Sequence, residues 1–285
     1  ERRPMMTILI TGSKGQLGME LRKLLDEKGM NYTATDSGEM DITNQTAVDA
    51  FFQKVNPTLV FHCAAYTAVD KAEDEGKDLN EKVNAIGTKI VAEAAEANGA
   101  VMVYISTDYV FDGNNSKEYT ETDQANPQNE YGRMKYEGEQ WVRSLCSKFY
   151  IIRTSWVFGE FGNNFVYTML RLGKTHPILT VVDDQFGRPT WTRTLAAFML
   201  HLLDTNAAYG VYHLSNDGSC SWYEFAREIL KNHNVEVKPV TSAEYPQKAY
   251  RPKHSIMDLS KAKATGFQIP TWEEALSQFV ASIDA

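Results

Sequence analysis

The sequence has few cysteines, no long apolar run and no excess of basic residues, and each shortage excludes a class of protein. Only three cysteines occur among 285 residues. Cys63, Cys146 and Cys220 show no CxxC spacing, so neither a disulfide framework nor a zinc site is expected. The longest nearly apolar run, 195–203, is about half as long as a bilayer-spanning helix, so no membrane helix is predicted. Because Lys and Arg number 29 against 37 Asp and Glu, the net charge of −8 argues against a nucleic-acid partner.

What is present is the composition of a folded globular protein. Hydrophobic residues make up 43% of the chain and charged residues 23%, which excludes disorder as the main description. The first six residues lack the apolar stretch and the cleavage site of a signal peptide. The expected location is therefore the cytoplasm.

Strand-like and helix-like segments alternate through the first half of the chain. The strand-like segments are 6–10, 32–35, 58–63, 101–106 and 149–153, and the helical ones are 16–28, 45–54, 79–98 and 131–146. The apolar strands are typical of a parallel sheet that is covered on both faces. This alternation predicts an α/β fold with a Rossmann-type, doubly wound parallel sheet and right-handed crossovers.

From residue 155 onward glycines and prolines interrupt shorter segments, so a second region is expected to begin there. We predict a dinucleotide-binding domain at 1–154 and a smaller substrate-binding domain over most of 155–285. The segment 191–215 holds a helical and a strand-like pattern that would return to the main sheet, which makes the second domain discontinuous. After it, a helix at 223–232 is predicted among loops punctuated by proline.

The segment TGSKGQLG joins the first strand to the first helix, and this context gives its glycines meaning. Gly12 can take the tight turn, Gly15 lets a diphosphate approach the helix N-terminus, and Gly18 allows the helix to pack closely on the sheet. The loop therefore predicts a dinucleotide site. Its expected cofactor-binding residues are Gly12, Lys14, Gly15, Gln16, Leu17 and Gly18.

Further cofactor contacts are expected where the second and third strands end. Asp36 lies close to the position, about 20 residues after the glycines, where a carboxylate binds the adenosine ribose. That carboxylate would repel a 2′-phosphate while Lys14 would attract it, so NADPH and NADH both remain open as the cofactor. The other expected contacts are Asp41 and Ile42 beside the adenine, and Ala64, Ala65 and Tyr66 after the third strand.

A hydroxyl and a Tyr/Lys pair converge on the same edge of the predicted sheet. Thr107 ends the fourth strand, and Tyr131 and Lys135 lie one helical turn apart on the following helix. A carbonyl that accepts hydride must also receive a proton, and an ammonium at Lys135 is expected to lower the pKa of Tyr131 for that task. Thr107 would share the hydrogen bond to the carbonyl. The alternative is that the pair is only a solvated helix start.

These motifs resemble the extended short-chain dehydrogenase/reductase family, through TGSKGQLG, STD at 106–108 and YGRMK at 131–135. AAYTAVDKAE at 64–73, RTSWVFG at 153–159, GNNF at 162–165 and DQFGRPT at 184–190 are similar to the members that act on dTDP-bound 4-keto sugars. The resemblance implies reduction of the 4-keto group of dTDP-6-deoxy-L-lyxo-4-hexulose to dTDP-L-rhamnose by NADPH or NADH.

The resemblance also implies roles for individual residues. Tyr131 would be the proton donor, Lys135 would hold the nicotinamide ribose, and Thr107 would contact the sugar. The matching substrate-pocket positions are Thr67, Val69, Thr107, Asp108, Trp156 and Asn163.

Two other functions remain open at this point. A nucleotide-sugar dehydratase or epimerase would share the fold, although the acidic pair that follows the catalytic Thr in the dehydratase is here Asp108-Tyr109. A non-catalytic NADP-binding subunit, resembling the regulatory subunit of methionine adenosyltransferase, would share the glycine loop.

The resemblance bears on assembly as well, because some members dimerise through a Mg²⁺ site. Glu20 matches one carboxylate of that site, but Arg193 stands where a second one would fall. Since a guanidinium repels a metal ion, no structural metal is expected, and the chain is predicted to be a monomer or a weak homodimer. The alternative is that another carboxylate completes the site.

Overall fold

The computed structural model describes residues 6–284. Residues 1–5 and residue 285 lie outside the described part. The prediction that there is no signal peptide rests mainly on those first residues. The described strands are β1 (Ile8–Thr11), β2 (Thr33–Ala34), β3 (Leu59–His62), β4 (Val101–Thr107), β5 (Phe149–Thr154), β6 (Val157–Phe158), β7 (Ile178–Val182), β8 (Phe186–Gly187), β9 (Thr190–Trp191), β10 (Gly210–His213), β11 (Cys220–Ser221) and β12 (Glu236–Val240). The α-helices are α1 (Gln16–Glu27), α2 (Gln45–Val55), α3 (Lys77–Asn80), α4 (Thr88–Ala97), α5 (Glu130–Leu145), α6 (Phe165–Gly173), α7 (Thr192–Asp204), α8 (Trp222–Ile229), α9 (Ser260–Ala264) and α10 (Trp272–Asp284).

The main sheet has six parallel strands in the order β10-β5-β4-β3-β1-β2. The chain leaves β1 for β2 on one side and then crosses to β3 on the other, so the strand order reverses between β1 and β3. Open α/β sheets bind ligands outside the carboxyl ends of their strands at such a reversal. The predicted doubly wound parallel sheet is confirmed.

Both faces of this sheet are covered because successive side chains of a strand point to opposite sides. Ile8 and Ile10 of β1 belong to the core under α1 and α7. Leu9 belongs to the core on the other face, with Val48 and Phe52 of α2 and further residues of α4 and α5. The two cores hold the carboxyl ends of the strands in a fixed arrangement.

A separate apolar core lies in the second region. It is built mainly by α6, α8 and α10, with Phe158, Val166, Phe225 and Phe279 among its buried members. β7 pairs with β12 in a small parallel sheet. By contrast, α7 packs on α1 and β10 pairs with β5 of the main sheet. The domain boundary at 154/155 stays a prediction.

The helix predicted at 79–98 is wrong as a single regular helix. The structure has α3, a π-helical segment Glu81–Gly87 and then α4. In the π segment Asn84 bonds both backbone groups of Tyr66, at 3.0 and 2.9 Å, and Gly87 lies where a Cβ would come within 2.8 Å of Ile42 Cδ1. These contacts come from outside the helix, so the helical periodicity of the segment does not reveal them.

The C-terminal part contains more regular structure than the predicted loops. The helix expected at 223–232 is the shorter α8, and β12, α9 and α10 follow it. Trp272, Ala275 and Phe279 of α10 are buried at helical spacing, so the periodic signal was present in the sequence. α6 was also not predicted.

Candidate functional site

The glycine loop after β1 forms a close turn against the end of β3. Gly12 has φ +62, and a Cβ there would lie 2.5 Å from the backbone nitrogen of Ala64. A Cβ on Gly18 would lie 2.1 Å from the Gly12 carbonyl oxygen, so α1 packs directly on the turn. Gly15 caps α1 without a side-chain hydrogen bond, which leaves the N–H groups of the first turn available to an anion.

A cavity of about 250 Å³ extends from this loop along the ends of β2 and β3. Of the predicted residues, Gly12, Gly15, Asp36, Asp41, Ile42, Ala64 and Ala65 line it. The backbone N–H of Asp36 donates to Glu39 at 2.9 Å, and this bond, supported by the charge of exposed Lys14, lowers the pKa of Glu39. Lys14 does not line the cavity. Sequence reasoning missed Glu39, a second carboxylate, which lies next to the backbone of Asp36.

The side chain of Tyr66 does not line this cavity. Its backbone is held by Asn84, and its hydroxyl lies against Gly76, where a Cβ would come within 2.0 Å. Ala65, its neighbour, lines this cavity and also the one described next.

A cavity of about 630 Å³ lies outside the ends of β3, β4 and β5, beside the start of α1. The predicted residues that line it are Gly15, Gln16, Leu17, Ala65, Thr67, Thr107, Asp108, Tyr131, Lys135, Trp156 and Asn163. The start of α5 is fixed by Asn129, whose Oδ1 accepts from the N–H of Gly132 at 2.7 Å. A Cβ on Gly132 would lie 2.3 Å from the carbonyl oxygen of Tyr109. The start of the helix that carries Tyr131 therefore packs directly on the segment that follows β4.

The pKa of Tyr131 differs from the sequence-based expectation. Burial and then the carboxylate of Asp108 raise this pKa, while a hydrogen bond with Thr107 opposes the rise. Burial lowers the pKa of Lys135 to about 8, against the attraction of Glu139. The expected lowering of the Tyr131 pKa by Lys135 is thus not found, because burial and Asp108 raise this pKa instead. The phenol is protonated at neutral pH.

Asp108 is buried beside the two hydroxyl groups. Thr107 Oγ1 donates to Asp108 Oδ1 at 3.2 Å and accepts from the N–H of Tyr109 at 3.1 Å. Burial raises the pKa of Asp108 to about 7, although hydrogen bonds from Ser255 and Thr107 work against it. The carboxyl group therefore changes charge near neutral pH.

Trp156 forms an aromatic wall of the same cavity. Its φ of +49 is unusual for a bulky residue, and its ring stacks on Trp222 with centroids 3.7 Å apart and an angle of 12°. Gly187 makes room for it, since a Cβ there would lie 2.7 Å from Trp156 Cε2. The backbone is held in this conformation at the point where the ring faces the cavity.

A neighbouring cavity of about 460 Å³ shares Tyr109 and Trp222 with the previous one. The predicted Val69 lines it, and α6 contributes much of its apolar wall. Arg251 brings a cation to its lining, and its guanidinium bonds both carboxylate oxygens of Asp70 at 3.0 and 3.1 Å.

Sequence reasoning missed Arg251, Trp222 and the α6 residues. Arg251 lies in a proline-punctuated loop with no motif around it. Only the apolar spacing of α6 could have pointed to part of this wall.

Among residues 6–284 no group of three or more His, Cys, Asp or Glu side chains could hold a metal ion. Glu20 is buried, and burial raises its pKa while Arg193 opposes the rise. Arg193 is in turn paired with Glu27. No helix in the described residues is long and apolar enough to cross a membrane.

Comparison with known proteins identifies the family. A family model described as the RmlD substrate binding domain matches residues 6–285. The dTDP-4-dehydrorhamnose reductase of Aggregatibacter actinomycetemcomitans is 41% identical over 293 residues, which cover 97% of this chain and 99% of that protein. The chain belongs to the dTDP-4-dehydrorhamnose reductase family. The resemblance inferred from the motifs is confirmed.

Solved structures of this reductase family agree over the whole fold. The Bacillus anthracis enzyme, in complex with NADP, is 44% identical, with a TM-score of 0.94 over 98% of this chain and 100% of that one. The Clostridium acetobutylicum enzyme is 47% identical, with a TM-score of 0.95 over the same shares. The reductase fold therefore extends over both regions of the chain.

Proposed function

We propose that the protein reduces the 4-keto group of dTDP-6-deoxy-L-lyxo-4-hexulose to give dTDP-L-rhamnose, with NADPH or NADH as hydride donor. Membership of the dTDP-4-dehydrorhamnose reductase family supports the substrate. The observation that carries the proposal is that Thr107, Tyr131 and Lys135 line one cavity with Gly15 at the N-terminus of α1. Hydride donor and proton donor would meet there.

The residues of the glycine loop fit a dinucleotide. Gly12 can approach Ala64 closely because it has no side chain, and Gly15 leaves the start of α1 open to a diphosphate for the same reason. Asp36 and Ile42 line the cavity where the adenosine would lie. The Bacillus anthracis relative holds NADP, which supports the same class of cofactor here. When bound, the nicotinamide supplies the hydride.

The chain's own residues supply the proton. Tyr131 donates its phenolic proton to the oxygen of the former carbonyl, and its raised pKa keeps that proton in place until the oxygen becomes negative. Thr107 positions the carbonyl through a hydrogen bond. Lys135 binds the nicotinamide ribose and stabilises the phenolate that Tyr131 leaves behind.

The nucleotide part of the substrate would occupy the cavity lined by Val69 and Arg251. A guanidinium suits a diphosphate because it presents several N–H donors in a fixed plane. Asp70 holds that guanidinium at its present position. The sugar would then lie toward Trp156, with Thr67, Asp108 and Asn163 as further contacts.

We also propose that the protein works without a structural metal, as a monomer or a weak homodimer. The support is the cation of Arg193 beside Glu20, which takes the place of a second carboxylate.

The function is tested with purified protein, reduced nicotinamide and dTDP-6-deoxy-L-lyxo-4-hexulose. We expect the absorbance of the reduced nicotinamide to fall as dTDP-L-rhamnose appears by chromatography. Cofactor binding without oxidation would instead support the non-catalytic subunit. Epimerised or dehydrated sugar formed without net oxidation of the cofactor would support the epimerase or the dehydratase.

A further inference from the structure

Lys135 is so deeply buried that its amino group would be expected to lose its charge. The side chain is 3% exposed, and fully buried lysines can have pKa values of about 5–6. Burial lowers the pKa of Lys135 only to about 8, so other groups must favour its charge. The carboxylate that favours this charge, Glu139 on the same helix, is itself paired with Arg153 and Arg143.

Tyr104 of β4 lies directly under the ammonium group. Lys135 Nζ is 4.5 Å from the centroid of the Tyr104 ring, which is fully buried. The face of an aromatic ring attracts a cation, most strongly where water is absent. The Tyr104 hydroxyl also donates to the backbone carbonyl of Lys135 at 3.0 Å. The same residue therefore contacts both ends of Lys135.

The position of this ring depends on its neighbours. A Cβ at residue 138, which is glycine, would lie 2.4 Å from the Tyr104 hydroxyl oxygen. On the sheet side the ring stacks with His62, with centroids 6.0 Å apart. The ring thus has little freedom to move away from the ammonium.

Glu139 follows Lys135 by one helical turn and is fully buried. Its carboxylate accepts from Arg153 Nε and Nη2 at 3.0 and 2.8 Å and from Ser106 Oγ at 2.6 Å. These three bonds fix the carboxylate behind the strand that carries Thr107. Its field favours the charged form of Lys135.

We infer that Tyr104 and Glu139 are positioning residues of this site, which together keep the ammonium group of Lys135 charged and directed into the cavity. The inference rests on the proposed function for its catalytic meaning. Neither residue has to touch the cofactor or the sugar. They act through Lys135, whose charge stabilises the phenolate of Tyr131 and whose N–H groups bind the ribose.

The titratable groups around Lys135 come from several elements. Glu139 and Cys63 favour the ammonium, whereas burial opposes it. His62 of β3 is neutral, since burial and then the charge of Lys135 lower its pKa to about 3. Tyr104 stays protonated because burial raises its pKa, with Glu139 adding to the rise.

The test follows Lys135 directly by NMR in protein labelled with ¹³C at the lysine Cε. The Lys135 signal is assigned by its loss in Lys135→Met. In the wild type we expect an upfield ring-current shift of the ε-methylene protons and titration near pH 8. Tyr104→Met, which fills the core space without a ring face, should move the midpoint down by about one pH unit. Glu139→Gln should move it in the same direction.

Tyr104→Phe is the matched control, because it keeps the ring and loses only the hydroxyl. We expect its midpoint to stay within about 0.3 units of the wild type. An unchanged midpoint in Tyr104→Met or in Glu139→Gln would overturn the role of that residue. If a variant does not fold, the wild-type spectrum still tests the contact between Lys135 and the Tyr104 ring, since an ε-methylene signal without an upfield shift contradicts that contact.

The kinetic consequence separates this role from a merely structural one. The alkaline limb of the pH profile of kcat should move to lower pH in Tyr104→Met and Glu139→Gln, and remain in place in Tyr104→Phe. The NMR titration needs no substrate. Absence of nicotinamide oxidation by the wild type would therefore refute the proposed function and leave this inference standing, whereas full activity with an unmoved Lys135 titration would refute the inference alone.

Discussion

Replacing Tyr131 with Phe removes one oxygen atom from the site and little else. The Phe ring can keep the edge-to-face contact with Tyr109, whose centroid lies 6.2 Å away at an angle of 89°. Thr107 loses one partner but retains its bonds to Asp108 and to the N–H of Tyr109, so its hydroxyl is not left unpaired. We expect the free energy of unfolding to change by about 1 kcal/mol or less.

The effect on catalysis should be much larger. A positioned general acid contributes about 10²–10⁴ in rate, which corresponds to roughly 2.7–5.5 kcal/mol of activation free energy. Because burial and Asp108 raise the pKa of Tyr131, the wild-type phenol is protonated throughout the neutral range and none of this contribution is lost to ionisation. Tyr131→Phe should therefore lower kcat by a hundredfold or more.

The assay measures kcat from nicotinamide oxidation and cofactor affinity from the quenching of protein fluorescence. Cofactor affinity should remain nearly unchanged, since Lys135 and the glycine loop are intact. Tyr136→Phe, five positions after Tyr131 on α5 and outside the cavity lining, is the control for any general effect of losing a tyrosine hydroxyl from this helix. If Tyr131→Phe kept more than half the wild-type rate, the proton-donor assignment would be wrong.

Three further predictions concern the cofactor, acid stability and assembly. Asp36→Ala should shift the ratio of kcat/KM toward NADPH, because it removes a like charge from beside the 2′-phosphate; an unchanged ratio would exclude this role. Burial lowers the pKa of His62 to about 3, below its unfolded value of about 6.5. The contribution of neutral His62 to the free energy of unfolding is therefore fully present above pH 6.5. It is lost as the pH drops toward 3, by up to about 1.4 kcal/mol per pH unit. The urea midpoint should therefore fall between neutral pH and about pH 5, and less so in His62→Gln; parallel curves for the two proteins would contradict this. Sedimentation at micromolar protein should give the same monomer, or weak dimer, with Mg²⁺ and with EDTA, because Arg193 repels a metal ion at Glu20; a dimer that dissociates only in EDTA would refute it.

The first half of the fold is predictable because its signals are local. The buried strand at the N-terminus, the glycines after it and the amphipathic helix that follows all lie within the first 28 residues. The return of β10 to the main sheet was also suggested by sequence. The π-helical segment Glu81–Gly87 could not be, since contacts with Tyr66 and Ile42 accompany it and these are distant in sequence.

The residues of the site also divide into those that local sequence signals predict and those that they do not. Thr107, Tyr131 and Lys135 were found because each has a fixed place at the end of a strand or on one face of a helix. Arg251 was not, because an arginine in an irregular loop becomes visible only when that loop is placed against Asp70.

The sequence predicts the wrong direction for the pKa of Tyr131, because the spacing places Lys135 beside it but does not reveal how deeply the phenol is buried. The observed direction suits reduction. A proton donor must hold its proton until the hydride has arrived, and a pKa held above its ordinary value does this at neutral pH. Stabilisation of the phenolate is needed only after the proton has left, when the charge of Lys135 interacts with a new negative charge rather than with a neutral phenol. Burial, with the charge of Asp108 adding to it, therefore favours the protonated phenol before the reaction, and in the proposed function the ammonium of Lys135 favours the state that follows it.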